Sequence, residues 1–153
     1  MNESSRLPDK LSIDSGVILA YYLGEEIGAV ARSEIFELSK KALYHSRLCI
    51  AELFYVLCRR RGIKAANDYT HAYLDAGHSV LSDSEEIDIA AGAYKCERAI
   101  SLADCYVIAT AKSQTASAVF ARHERDLDAE IKKRRFDVDI LFLQDLKVQQ
   151  GTK

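Results

Sequence analysis

Apolar residues recur along this chain in two rhythms, one near 3.6 residues and one of about two, and the switches between them mark the elements. Leu11 and Ile13 alternate with Ser12 and Asp14 ahead of Gly16. This predicts a short strand ending near Asp14, then a helix from about Val17 through Leu23 closed by Gly24. Between Glu25 and Leu43 the residues Ile27, Ala31, Ile35, Leu38 and Ala42 share one helical face. Acids fall early in that segment and Lys40–Lys41 late, as the helix dipole favours. Leu48–Ile50 reads as a very short strand leading into Ala51–Cys58, a helix apolar enough to be buried all round, which ends at Arg59-Arg60-Arg61-Gly62.

Ile63–Ala76 continues as a helix with Tyr69 and Tyr73 on one face, and Gly77 ends it. Ser79–Ser82 predicts a strand, and Asp83 or Ser84 caps a helix to about Cys96. Ser101 and Asp104 have the spacing of a capping box that opens a helix through about Lys112. Ala116–Ala121 and Val138–Leu143 read as the last strands. Residues 1–10 read as a mobile lead-in, 11–146 as one domain and 147–153 as a polar tail. Strands alternating with helices predict an α/β sandwich around a short-stranded, mainly parallel sheet.

Composition narrows the class. A chain of 153 residues with 48% apolar positions buries roughly 68–70% of its unfolded surface and needs no staple. No stretch approaches the ~20 apolar residues of a membrane helix, and the polar start lacks a signal-peptide core. A soluble, cytoplasmic protein is therefore expected, with no membrane partner. Cys49, Cys58, Cys96 and Cys105 form no C-x-x-C pair and sit among apolar neighbours, as small core residues do. The histidines lack zinc-site spacing, so zinc is not expected.

The positions of four acids are more informative. Asp14 closes the first strand, Glu52 lies early in the most apolar helix, Asp104 opens another helix, and Glu124 follows the Ala118–Ala121 segment. In an open parallel sheet, strand C-termini and helix N-termini share the edge where ligands bind. Each acid also has a plain structural role. Asp104 completes a capping box, Glu52 gains from the helix dipole, and Glu124 suits a solvated loop. Asp14 is harder to place so, because a carboxylate ending a buried strand is costly unless it is paired or functional. Brought together, the four repel one another unless a cation neutralises them, and oxygen-only donors suit Mg²⁺ or Mn²⁺.

Four blocks carrying these acids resemble the PIN-domain nucleases, in particular the small VapC-type toxins. They are Ser12-Ile-Asp14-Ser15-Gly-Val-Ile-Leu-Ala-Tyr-Tyr, Ile50-Ala-Glu52-Leu-Phe-Tyr-Val-Leu, Ser101-Leu-Ala-Asp104-Cys-Tyr-Val-Ile-Ala-Thr-Ala and Ala118-Val-Phe-Ala-Arg-His-Glu124-Arg-Asp-Leu127. The resemblance implies a PIN-like three-layer α/β/α sandwich, a Mg²⁺ or Mn²⁺ site, and endonuclease chemistry on RNA. It implies Asp14, Glu52 and Asp104 as catalytic metal ligands, and Ser15 as a hydroxyl that bonds Asp14 or a metal-bound water. The commonest pattern has Asp where this chain has Glu124, so the fourth acid is Glu124 or Asp126. Where many relatives carry a further acid, this chain has Ser101, read as a helix cap. A homodimer and an antitoxin partner are also implied. A catalytically weak PIN-like module that engages a protein or RNA is the alternative. A phosphatase built on Asp14 is disfavoured, since Gly16 stands where its second aspartate belongs.

Charge then acquires a different meaning. Overall, 23 acids face 21 bases, but with four acids reserved for a cation 19 remain, leaving the surface slightly basic. Arg122 and Arg125 flank Glu124 and are expected to meet a phosphate backbone. The runs Arg59–Arg61 and Lys132–Arg135 suit solvated helix ends. Tyr21, Tyr22, Tyr69 and Tyr73 suit packing more than base stacking.

Overall fold

The computed structural model describes residues 6–37 and 40–148. Five strands form one sheet: β1 (Lys10–Ile13), β2 (Ala42–His45), β3 (Val80–Leu81), β4 (Ser117–Phe120) and β5 (Ile140–Phe142). Every pairing is parallel, in the order β3-β2-β1-β4-β5. The helices are α1 (Ser15–Tyr22), α2 (Glu26–Ala31), α3 (Arg47–Arg61), α4 (Ile63–Ala76), α5 (Glu85–Glu97), α6 (Leu102–Gln114), α7 (Arg125–Lys133) and α8 (Leu143–Val148). The expected α/β/α sandwich is therefore the observed one.

Alternation along the central strands builds the two cores. Leu11 and Ile13 of β1 and Val119 of β4 face a cluster with Ile18, Val30, Leu53, Leu57 and Tyr73 from α1–α4. Ala118 and Phe120 of β4 face the opposite cluster, with Ile87, Ile108 and Leu127 from α5–α7. Ser12 points the same way as that second cluster and donates its hydroxyl to the Val107 carbonyl at 2.8 Å, so its polar group is satisfied inside α6. Full burial of each large aliphatic side chain contributes roughly 1.5–3 kcal/mol. Gly28 sets the approach of α2 to α1, because a Cβ there would stand 2.0 Å from the Ala20 carbonyl oxygen.

Several sequence expectations change. The segment expected as one helix over 25–43 is α2, a π-helix over Arg32–Phe36, and then the start of β2. Leu38 lies outside the described residues, and Ala42 pairs with Lys10 as a strand residue. A local periodicity of four cannot register that β1 and β3 both recruit this segment through hydrogen bonds. The strand expected at Leu48–Ile50 is the first turn of α3, which Ser46 caps by accepting from the Cys49 N–H at 3.1 Å. As a result Glu52 sits in the second turn of α3, not the first. That helix is buried on one face only, through Cys49, Leu53 and Leu57, while Tyr55 is 44% exposed. The reason is its place as an outer layer, with the sheet on one side only.

Of the lead-in, residues 1–5 lie outside the described residues, whereas Leu7 is buried and Lys10 opens β1. The tail expected over 147–153 overlaps the last two residues of α8, an element the periodicity did not register. Cys49 and Cys105 are buried, but Cys96 is exposed, and all four thiols are free. The tyrosines pack: Tyr22 meets Tyr21, Tyr69 and Tyr73 with ring centroids 5.1, 5.7 and 6.2 Å away. No helix among the described residues is long and apolar enough to cross a membrane.

Arg98 ties the α5–α6 turn to the end of α7. Its buried guanidinium donates to the carbonyls of Glu130 (3.1 Å), Arg134 (2.6 Å) and Arg135 (3.3 Å), and lies 4.0 Å over the Phe136 ring. Arg98→Ala would strand the Arg134 and Arg135 carbonyls, since the Glu130 carbonyl keeps the Arg134 N–H at 3.2 Å, and is expected to cost about 2–3 kcal/mol. Urea denaturation should show that loss, with Arg98→Lys recovering part of it.

Candidate active site

The sheet order reverses direction between β1 and β4, and the crevice beyond their C-terminal ends is where an open parallel sheet binds ligands. All four acids belong to elements that meet there. Asp14 follows β1 directly and caps α1, accepting from the Gly16 N–H through Oδ2 at 3.0 Å. This capping role escapes a reading of the strand pattern alone. A Cβ at residue 16 would lie 2.9 Å from Asp14 Oδ2, so glycine lets the carboxylate fold back against the backbone. Asp104 stands third in α6, and its N–H donates to Ser101 Oγ at 3.1 Å in the expected capping arrangement. Glu124 is the N-cap residue of α7 but makes no side-chain capping bond, which leaves its carboxylate free to turn inward. Cys49 Sγ contacts the Ile13 carbonyl at 3.6 Å, bringing the start of α3 over the end of β1 and Glu52 with it.

Electrostatics shows that the four share one field. Asp14 and Asp104 are each only 7% exposed. Burial, then the charges of Asp104, Glu52 and Glu124, raises Asp14 from its ordinary 3.8 to about 8. Burial and the charges of Glu124 and Glu52 raise Asp104 to about 6. Glu124 is also raised, by desolvation first and then by Glu52. Glu124, and not Asp126, is among the leading charges that raise Asp14 and Asp104, so between the two candidates Glu124 is the one that faces the cluster. Asp126 is exposed on the outer side of α7.

Other expected residues take different partners. The Ser15 hydroxyl donates to Glu52 Oε2 at 2.9 Å rather than to Asp14, and thereby orients the acid on α3. Arg122 is ion-paired with Glu25, which Arg60 also meets at 3.3 Å. Arg125 is exposed beside Glu124 and makes no ion pair among the described residues. In the run Lys132–Arg135, Lys133 pairs with Glu130, Arg134 with Glu97 and Arg135 with Asp139; in Arg59–Arg61, Arg60 pairs with Glu25 and Arg59 lies over the Tyr55 ring. Sequence reasoning missed His123, whose ring nitrogens meet Asp128 Oδ1 at 2.9 Å and Asp145 Oδ1 at 2.8 Å. No local spacing connects residue 123 with residue 145, so only the fold displays that contact.

The donor set fits a hard divalent cation in its chemistry. It is all oxygen, anionic, partly desolvated and mutually repulsive, and a bound dication relieves each of these penalties together. Among the described residues, no three His, Cys, Asp or Glu side chains are drawn close enough to hold a metal as they stand. To hold such an ion the side chains would have to rotate toward it, and the uncapped Glu124 is free to do so.

A PIN domain family model matches residues 11–132, most of the chain, and the chain belongs to that family. No curated protein matches it in sequence. Among solved structures, VapC20 of Mycobacterium tuberculosis, a toxin that cleaves the sarcin–ricin loop, superposes with a TM-score of 0.61 at 15% identity, covering 78% of this chain and 93% of its own. VapBC2 of Rickettsia felis, solved with a promoter DNA fragment, gives 0.62 at 12% identity over 87% and 97%. FitAcB of Neisseria gonorrhoeae gives 0.56 at 22% identity over 88% and 98%. At these identities the likeness is one of fold.

The raised carboxyls make a pH prediction with a definite sign. Between its ordinary value of 3.8 and about 8, folded Asp14 keeps a proton that the unfolded chain has released. The folded state then binds more protons, so stability falls as pH rises, and is lost progressively up to the folded value. In chelator, the melting temperature should fall between pH 6.5 and 8, and Asp14→Asn should remove most of that fall. A flat or rising wild-type profile would contradict the burial of an isolated, repelled carboxyl.

Proposed function

We propose that this chain is a Mg²⁺- or Mn²⁺-dependent endoribonuclease and the toxin of a toxin–antitoxin pair. The observation that carries the reading is the convergence of Asp14, Glu52, Asp104 and Glu124 on one crevice, where burial and the neighbouring carboxylates raise the proton affinity of Asp14, Asp104 and Glu124. Membership of the PIN family and the fold shared with VapC toxins and VapBC complexes support it. A divalent cation held by these four acids would supply Lewis acidity toward a phosphodiester and would acidify water for in-line attack.

The chain's own groups have separable tasks. The Gly16 N–H fixes one oxygen of Asp14, leaving the other for ligation. Ser15 holds Glu52 in rotamer across the gap between α1 and α3. The α6 N-terminus, bearing Asp104, directs backbone N–H groups and a partial positive charge toward an anionic substrate. Arg125 at the rim offers a cation to the RNA backbone, while Arg122 is held in its ion pair with Glu25. The exposed apolar side chains Tyr55, Ile63 and Leu74 on α3 and α4 offer surface to a second copy or to an antitoxin, the partners this reading assigns.

The second reading is a PIN-like module of weak or no activity that engages a partner. The spread of the acids beyond ligation distance and the glutamate at residue 124 favour it. Two measurements separate these readings. Incubation with an RNA pool should give cleavage that depends on Mg²⁺ or Mn²⁺ and stops with chelator. Asp14→Asn and Asp104→Asn should each lower it at least ~100-fold with the circular dichroism spectrum intact. Undiminished cleavage by both variants would remove the assignment, and absence of Mn²⁺ uptake in calorimetry at millimolar metal would favour the binding module.

A further inference from the structure

Glu124 has a requirement that the other three acids do not share. Asp14 and Asp104 are short and fixed by helix capping, and Glu52 is held by Ser15. Glu124 is longer, exposed, and carried by the loop between β4 and α7 without a side-chain hydrogen bond of its own in the cap. Side-chain freedom there, added to a mobile loop, would dissipate any ligand geometry. The fold answers through the residue immediately before it.

His123, although exposed, is held through both ring nitrogens, its ring face and its backbone N–H. Its Nδ1 meets Asp128 on α7, and its Nε2 meets Asp145 on α8. Its ring stacks on Phe142 with centroids 3.9 Å apart and planes at 27°. Its backbone N–H donates to Gln144 Oε1 at 3.1 Å, and the Gln144 N–H in turn donates to the Ala121 carbonyl at 3.0 Å. One residue earlier, Arg122 is tied to Glu25 at the start of α2. The loop Ala121–Glu124 is thus fastened to α7, to α8 and to the end of β5, with Glu124 the one member whose side chain is left to face the acids.

We propose that His123 is a positioning residue. By bridging Asp128 and Asp145 and stacking on Phe142, it locks the β4–α7 loop so that Glu124 points at Asp14, Asp104 and Glu52. The assignment rests on Glu124 acting as the fourth acid of the proposed site.

The test has one arm that needs no metal. In chelator, hydrogen–deuterium exchange of the 121–125 loop should rise about tenfold in His123→Ala, as local opening without global unfolding does, with β1 and β4 amides unchanged. Asp145→Ala, which removes one strut and keeps the ring, should give a smaller rise and guards against a misfolded His123→Ala. Unchanged loop exchange in both variants overturns the lock. The second arm is Mn²⁺ calorimetry on wild type, His123→Ala, Glu124→Gln and the double variant. Each single change should weaken Mn²⁺ binding several-fold, and the double should be no weaker than Glu124→Gln alone, because His123 acts through that carboxylate. Additive losses would overturn the positioning role. Wild type that takes up no Mn²⁺ refutes the nuclease reading, while the exchange result still decides the lock.

Discussion

Everything at the working edge of this molecule depends on a carboxylate placed where a strand must end. β1 is the innermost strand, paired with β2 and β4, and its Leu11 and Ile13 are fully buried. Asp14 continues directly from it, still bonded through its N–H to the Val119 carbonyl at 3.0 Å. The backbone therefore delivers the side chain into the switch point of the sheet with little latitude. Burial alone penalises its charge, and the approach of three more acids adds to the penalty. The fold holds this arrangement because the surrounding cores stabilise it.

Compensation is arranged around the cluster rather than inside it. Within the crevice the acids meet neutral donors: the Gly16 N–H for Asp14, the Ser15 hydroxyl for Glu52 and Ser101 for the Asp104 carboxylate. Cations are kept at the rim, where Glu25 gathers Arg60 and Arg122, and Arg125 faces solvent. An arginine placed within the cluster would quench that repulsion. Exposed ion pairs of this kind add little to stability, about 0–1 kcal/mol each, so their value lies in where they hold charge.

Much of this was legible in residue order. Ser101 followed by Asp104, Gly16 after Asp14, and glycines at 24, 62 and 77 are local signals, and each sits in the structure where local chemistry puts it. Helix α4 runs over the same residues that its periodicity marks. The failures are equally specific. Ala42–His45 carries a helix-compatible pattern, yet it is a strand because two neighbours supply hydrogen bonds from residues far away in the chain. The cap at Ser46 was the overlooked local signal for α3, and missing it shifted Glu52 by one turn.

By itself, the sequence determined the class of fold, the four acids and the edge on which they lie, because capping, turn chemistry and alternation are short-range physics. Only the tertiary structure decided how those acids are held. It turned Ser15 toward Glu52, set Glu124 rather than Asp126 against the cluster, took Arg122 into a pair with Glu25, and fastened His123 between Asp128 and Asp145. Each of these contacts joins residues from separate elements. Their meeting is fixed by the order and packing of strands and helices, and no spacing along the chain encodes it.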